Sequence, residues 1–258
     1  MTTSLDEAME IALKAAALAA VEIMRYYHGN FDIEIKEDQT PVTVADRKAE
    51  EIIQSTLLDA FPDHGFYGEE SGKHNEDAEY LWLVDPIDGT RSFVAGYGMF
   101  STQIALMQYG ELVLGVSSAP AANETFRAIR GKQAIDSAGP VQVSQCRDIE
   151  QASISTGNIA SLARSPRWQS LGTIMSRAVR TRGYGDYYHY HRLAAGQLDA
   201  VIESDVNILD IAALKVIVES AGGRFTDLEG HAVGLETSSV LAAPVDLHAQ
   251  LLEILNGQ

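Results

Sequence analysis

The run Trp82-Leu83-Val84-Asp85-Pro86-Ile87-Asp88-Gly89-Thr90 sets the strongest limit on how this chain can fold. An apolar stretch breaks off into two carboxylates, with Pro86 between them and Gly89 after them. Pro86 fixes its own φ and Gly89 permits a tight turn, so the pattern reads as a buried strand, expected from Tyr80 to Val84, that delivers Asp85 and Asp88 to one end. A buried carboxylate without a partner is costly. Something positive must therefore meet these charges.

The chain has 258 residues, of which 46% are hydrophobic, and a net charge of -17. That length supports one large domain or two modest subdomains with a sizeable core. The acidic surface repels nucleic-acid backbones and argues against DNA or RNA as a partner; it also repels phosphate esters unless cations or focused dipoles offset it. Acid excess serves solubility in most proteins, and a carboxylate metal cluster would add to it. Cys146 is the sole cysteine, so neither an intrachain disulfide nor a cysteine-based zinc site can form, which fits a reducing cytoplasm. The start, Met1 to Glu7, lacks a basic secretory n-region. The alanine-rich stretch from Ile11 to Ile23 is too short and, with Lys14 and Glu22, too charged to span a bilayer. The expectation is a cytoplasmic protein with no membrane partner.

Met9, Leu13, Ala16, Ala17, Ala20, Ile23 and Met24 fall at helical spacing, which predicts a helix over 5–27 closed by His28-Gly29-Asn30. A second helix runs from about Thr43, a candidate cap, to Ala60, with Ile52, Ile53, Leu57 and Leu58 as its buried stripe. Residues 72–79 read as a polar loop. Strands are expected at 102–108, 111–117 and 124–129. Beyond a polar stretch over 137–151 the chain alternates, with strands near 152–155, 199–203 and 239–243 and helices within 164–176, 185–195, 208–221 and 245–254. This order predicts layered helices and sheets, α+β in the first half and α/β in the second. A subdomain boundary is expected near 140, with 1–140 carrying metal and phosphate chemistry and 141–258 carrying specificity and Asp210.

Acids sit at element edges: Asp46 in the first turn of the second helix, Glu69 and Glu70 after Gly68, the Asp85/Asp88 pair, and Asp210 opening an apolar helix. Taken alone, Asp46 and Asp210 read as helix caps, Gly68-Glu69-Glu70 as a solvated loop, and Asp85 and Asp88 as turn formers. Together they read as a site for hard cations. Mg2+ takes oxygen ligands and keeps waters and substrate phosphate in its shell. Two such ions about 4 Å apart can clamp the attacking and leaving oxygens of a phosphoryl group. A short helix beginning at Gly89-Thr90 would aim N–H groups at an anion, and Thr90 brings a hydroxyl that could orient water.

These residues resemble the inositol monophosphatase family of Mg2+-dependent, lithium-sensitive phosphatases. Asp85-Pro86-Ile87-Asp88-Gly89-Thr90 is similar to the family's first signature, Gly68-Glu69-Glu70-Ser71 to its upstream acidic motif, and Val42-Thr43-Val44-Ala45-Asp46 to the one before that. Asp210-Ile211-Ala212-Ala213, followed by Glu219-Ser220-Ala221-Gly222-Gly223, resembles the second signature. The resemblance implies an αβαβα sandwich and a dimer. It implies one Mg2+ on Glu69, Asp85 and the Ile87 carbonyl, a second on Asp85, Asp88 and Asp210, and a third, weak ion at Glu69. The nucleophile would be a water at the first ion, activated by Glu69 or by Thr90 paired with Asp46. The phosphate would rest on the N–H groups of Gly89 and Thr90, and no covalent phosphoenzyme would form. Leu209 stands where the family usually has Trp, a departure that bears on packing near the substrate pocket.

Arg182-Gly183-Tyr184-Gly185-Asp186 resembles the same stretch of the bacterial histidinol-phosphatase branch, and Glu203 matches a family position that meets the substrate's organic part. The resemblance makes Asp88, Arg182, Asp186, Glu203 and Asp210 the substrate-binding set. It makes histidinol phosphate, from histidine biosynthesis, the expected substrate, because its ammonium and imidazole suit paired carboxylates. Asp186 could instead cap the helix after Gly185, and Glu203 could bind sugar hydroxyls. Inositol phosphate or a broad range of phosphomonoesters is therefore an alternative, as are the nucleotide-bisphosphatase branch and a non-catalytic regulatory protein on the same fold. His189 and His191 fall on different sides of a helix, which argues against a chelating pair. Tyr184, Tyr187, Tyr188 and Tyr190 read as helix packing with polar tips, one of which could stack on an imidazole. His28, His64, His74, His231 and His248 read as surface or loop residues, Trp82 as core, Trp168 as core or interface, and Arg91 and Ser92 as the pocket border.

Overall fold

The computed structural model describes residues 3–27, 29, 33–35 and 41–257, with 33–35 and 41–43 as backbone only. His28, Asn30 and the side chains of Val42 and Thr43 lie outside the described residues. The first half contains α1 (Leu5–Tyr27), a ribbon of β1 (Ile33–Ile35) and β2 (Pro41–Thr43), α2 (Val44–Ala60), β3 (Gly65–Gly68), β4 (Gly72–His74), β5 (Tyr80–Asp88), α3 (Thr90–Val94), β6 (Ser101–Gln108), β7 (Glu111–Ala119) and β8 (Glu124–Ile129). The second half contains β9 (Ser153–Gly157), α4 (Ile159–Arg164), α5 (Trp168–Arg177), β10 (Arg180–Arg182), α6 (Asp186–Ala194), β11 (Ala200–Ser204), α7 (Ile208–Ser220), β12 (Gly223–Thr226), β13 (Ser239–Pro244) and α8 (Val245–Asn256).

These elements stack as an αβαβα sandwich. A six-stranded sheet has the order β4-β3-β5-β6-β7-β8 and a five-stranded sheet the order β10-β9-β11-β13-β12. Helices α1 and α2 cover the outer face of the first sheet, α6 and α7 fill the space between the sheets, and α5 and α8 cover the outer face of the second. Strand β5 is buried along its whole length. Its pleat sends Tyr80, Trp82 and Val84 to the α1/α2 side and Leu81 and Leu83 to the central layer. A strand covered on both faces needs the continuous apolar run read from the sequence. Helix α7, between the two sheets, is apolar nearly all round for the same reason.

Three expectations are corrected. Strand β5 does not stop at Val84 but continues through a bulge to Asp88, because β6 keeps pairing with it beyond the proline. The stretch 72–79 opens with β4, a short edge strand on β3. The buried face of α1 is Ala8, Met9, Ala12, Ala15, Ala16, Ala19 and Ile23, rotated from the predicted stripe so that Ala17 is exposed. Alanines there meet Ala45, Ala49, Ile53 and Leu57 of α2, since two small faces pack closely. Ile52 and Leu58 lie at the edge of that stripe. Among the described residues no helix is long and apolar enough to cross a membrane.

Helix α7 lies unusually close to the first sheet at Gly115 of β7. A Cβ there would overlap the Ala213 carbonyl and sit 2.9 Å from its Cα. Both obstacles are backbone, so the helix would have to lift. Gly115→Ala should cost about 1–3 kcal/mol of stability, read in a thermal melt as a fall of roughly 2–4 °C per kcal/mol. An unchanged midpoint would contradict this contact.

His191 of α6 is fully buried, stacked on Phe126 with ring centroids 4.0 Å apart, and its Nε2 lies 2.7 Å from Ser117 Oγ. Burial pushes its pKa down to about 4, against the opposing pull of Glu124. The native state therefore keeps the ring neutral while the unfolded chain takes up a proton below about pH 6.5. The stabilisation is complete above that pH and is lost as pH falls through 4, by a few kcal/mol in total. Denaturant midpoints of the wild type should fall between pH 6.5 and 4 more steeply than those of His191→Gln. Parallel curves would remove His191 as a cause.

Candidate active site

Strand pairing brings the acids together. Strands β3 and β5 are parallel with Gly68 opposite Val84, so Glu69, one residue on, stands beside Asp85. The Glu69 N–H donates to the Val84 carbonyl at 3.2 Å, which ties the turn to the strand. Asp85 Oδ1 accepts the Ile87 N–H at 2.9 Å and folds over the bulge at Pro86. Asp88 Oδ2 accepts the Tyr187 N–H from α6 at 2.9 Å and the Ser101 hydroxyl at 3.3 Å, and Gln103 in turn donates to that hydroxyl at 2.7 Å. Gly89 then turns the chain with φ 87°, a left-handed conformation that glycine adopts without strain, and α3 begins at Thr90.

The N-terminal helices approach from outside. Asp46 of α2 is buried, and the Thr90 hydroxyl lies 3.4 Å from its Oδ1 and 2.9 Å from the Ile87 carbonyl. From between the sheets, α7 presents Asp210 at its third position. There it closes a capping box: Asp210 Oδ2 accepts the Asn207 N–H at 2.9 Å, and Asn207 Oδ1 accepts the Leu209 N–H at 2.7 Å. One oxygen each of Asp85, Asp88 and Asp210 lies within 4.8 Å of the others.

Burial, then the charges of Glu69, Asp88, Asp210 and Asp46, push the Asp85 carboxyl well above the usual carboxylate range. Asp88 is raised likewise by burial and then by Asp186, Asp210 and Glu203, with the Tyr187 N–H opposing. Asp210 rises to about 7 through burial, although Asn207 pulls the other way. The dominant neighbours of Asp85 and Asp88 are thus other acids. An all-oxygen cluster that crowds like charges in a buried place fits divalent Mg2+-like ions and does not fit a soft metal.

On the opposite side stand the acids of the second half. Asp186 and Glu203 line one small cavity, about 40 Å³, with Asp88, Asp210, Asn158 and Tyr190. Asp186 is the first residue of α6, at a positive φ of 48°, and the N-cap position is taken by Gly185 instead. Burial first, then Glu203, raises its carboxyl to about 6, while His189 and a hydrogen bond from Ser92 pull it down. Arg182 is exposed and donates to the Thr181 carbonyl at 2.7 Å. It borders a wider cleft of about 750 Å³ that meets the acids at Asp186. Trp168, read as core or interface, is half-exposed on that cleft. Leu209, the departure from the family's Trp, is buried in the central layer.

Some residues that build the site were not singled out in the sequence. Glu50 lies one helical turn after Asp46 on the buried face of α2, and its carboxylate accepts the N–H groups of Glu70 and Ser71 at 2.8 and 2.7 Å. Gly68 leaves room for it, since a Cβ there would sit 2.5 Å from that carboxyl carbon. Its i,i+4 spacing from Asp46 was the available signal. His64 and His248, read as surface or loop residues, are buried, His64 in the loop between α2 and β3 and His248 in α8. His64 stacks on Phe61 and Tyr80, and His248 meets the Thr226 hydroxyl at 2.9 Å. Their aromatic and β-strand neighbours come from tertiary packing.

The profile of the inositol monophosphatase family matches residues 4–258. A histidinol-phosphatase of Mycobacterium tuberculosis is 38% identical over 252 residues, covering 94% of this chain and 96% of that protein. An inositol-1-monophosphatase of Rhizobium meliloti is 32% identical over 231 residues, 88% of this chain and 86% of that protein. The crystal structure of the extragenic suppressor protein suhB from Bartonella henselae aligns with a TM-score of 0.89 at 32% identity, over 97% of this chain and 99% of that one. The fold, the acidic cluster at the end of β5 and these likenesses agree: the chain belongs to the inositol monophosphatase family and is a phosphomonoester hydrolase.

Proposed function

We propose that this enzyme hydrolyses L-histidinol phosphate to L-histidinol and inorganic phosphate, with Mg2+ held by Glu69, Asp85, the Ile87 carbonyl, Asp88 and Asp210. The observation that carries the choice of substrate is the pair Asp186 and Glu203 in one cavity with Asp88 and Asp210. Carboxylates gathered on the leaving-group side can bind polyol hydroxyls by hydrogen bonds, but they attract an organic cation by charge as well. The M. tuberculosis likeness supports the same reading.

Bound divalent ions would neutralise phosphoryl charge and make a water acidic enough to attack at neutral pH. The chain's own part is positioning. The Thr90 hydroxyl, with its proton directed at Asp46 or the Ile87 carbonyl, keeps lone pairs that accept a hydrogen bond from the attacking water and orient it. Asp46 or Glu69 takes the water's proton. The N–H groups of Gly89 and Thr90, at the turn that Gly89 makes possible, hold phosphate oxygens. Asp186 and Glu203 hold the ammonium and imidazole of the alcohol being released.

Asp88→Asn should lower Mg2+-dependent phosphate release at least about a hundredfold, since loss of even an outer partner of a metal site costs 10–100-fold. Near-wild-type release in a phosphate assay would refute the ligand set. Asp186→Ala should lower kcat/KM for L-histidinol phosphate on the order of tenfold or more relative to inositol 1-phosphate, because one buried charge partner is gone. A wild type that favours inositol 1-phosphate, or a variant that loses both substrates equally, would overturn the specificity.

A further inference from the structure

Glu203 sits in the cavity by virtue of contacts that the catalytic reading does not use. It is 4% exposed. Its Oε2 accepts the Tyr190 hydroxyl at 2.7 Å and lies 3.0 Å from His189 Nε2. The other ring nitrogen, Nδ1, lies 3.2 Å from Ser155 Oγ, which accepts the Tyr184 N–H at 3.2 Å. His189, Ser155 and Tyr190 are all fully buried or nearly so.

The chain of donors runs one way. A carboxylate can only accept, so the 3.0 Å contact makes His189 Nε2 the donor to Glu203; in the neutral ring Nδ1 is then the acceptor, and the Ser155 hydroxyl that meets it is the donor. Both donors land on Oε2, and Oε1 is the oxygen that accepts none among the described residues. On the far side Gly157 closes the arrangement: a Cβ there would overlap Oε1, so only glycine at the end of β9 lets this rotamer exist. Two donors on one oxygen and a glycine wall against the other leave the carboxylate a single orientation. The donors come from α6, the same helix that opens with Asp186. A shift of α6 would therefore move both acids at once.

We propose that His189 and Tyr190 are positioning residues for specificity, which fix the Glu203 carboxylate toward the cationic part of the leaving group through a relay that starts at Tyr184 and Ser155. This rests on the histidinol phosphate reading. Ion pairing across a cavity needs a charge that is already in place, because an unfixed carboxylate spends binding energy on being ordered. The relay should therefore act on KM for a cationic substrate more than on turnover.

The experiment measures kcat and KM for Tyr190→Phe, His189→Gln and His189→Leu in saturating Mg2+, with L-histidinol phosphate and with p-nitrophenyl phosphate, whose leaving group carries no cation. Wild type is also assayed with inositol 1-phosphate. In Tyr190→Phe, which keeps the ring volume, KM for L-histidinol phosphate should rise on the order of tenfold more than KM for p-nitrophenyl phosphate, as loss of one hydrogen bond to a charged group implies. His189→Leu should shift the ratio in the same direction, and His189→Gln should recover part of it, because its amide can still donate. If His189→Leu does not fold, Tyr190→Phe decides alone. A wild type that prefers inositol 1-phosphate sinks the substrate reading. A wild type that prefers L-histidinol phosphate, with variants that lose both substrates in parallel or neither, sinks the positioning role alone.

Discussion

Like charge held close together inside the protein governs this structure. Asp85, Asp88 and Asp210 offer oxygens within 4.8 Å of one another, with Glu69 and Asp46 among the neighbours that act on Asp85. Each such pair, if fully ionised, repels by roughly 3–4 kcal/mol at an effective dielectric near 20. Backbone donors on Ile87, Tyr187 and Asn207 offset part of that. The remainder is relieved in two ways, by protons or by cations. The raised pKa values describe the first. The all-oxygen geometry suits the second, and a divalent ion that displaces those protons would bind more tightly as pH rises.

The sandwich exists to make that crowding possible. A single sheet end could present Asp85 and Asp88, but Asp210 has to arrive from a different layer. Helix α7 manages this because it is apolar on nearly every side and can lie between two sheets, and because Gly115 lets its backbone approach β7. Helix α6, in the same layer, supplies the Tyr187 N–H to Asp88 and carries Asp186. Asp210 and Asp186 are thus held by neighbouring helices of one layer, so displacement of that layer would move both acids.

What the sequence revealed and what it concealed follow the range of the interactions. The acids at the end of β5 were legible because their pattern is local: the nine residues Trp82 to Thr90 hold the apolar run, the acids, the proline and the glycine, although the pairing that carries the strand on to Asp88 was not. In the second half the four longer helices and strands β9, β11 and β13 were located to within a few residues for the same reason, whereas the short elements α4, β10 and β12 were not foreseen. The faces of α1 and α2 were read in part: Met9, Ala16, Ile23, Ile53 and Leu57 are buried as expected, but the stripes are rotated towards Ala8, Ala12, Ala15, Ala19, Ala45 and Ala49 because two small faces pack closely. Ser155 and Gly157 carried no signal, and Glu50 only its spacing from Asp46, which was not used. Each owes its role to a partner far along the chain: Glu50 to the turn at Glu70, Ser155 to His189, and Gly157 to Glu203. His189 and His191 were correctly separated onto different helix faces, yet their burial against Glu203 and Ser117 needs the two sheets to be in place.

Asp210 shows why a bland and a functional reading of one residue need not compete. As an acid in the first turn of α7 it caps the helix, accepting the Asn207 N–H and meeting the positive end of the dipole. Those same donors hold its carboxylate in one place beside Asp85 and Asp88. A metal ligand must be ordered before the ion arrives, or ion binding carries the ordering cost. The cap does that ordering as part of folding. Asp85 uses the Ile87 N–H in the same manner, and Asp88 uses the Tyr187 N–H. Ordinary turn and cap chemistry, repeated at each acid, is therefore the means by which this fold keeps an electrostatically strained cluster in register.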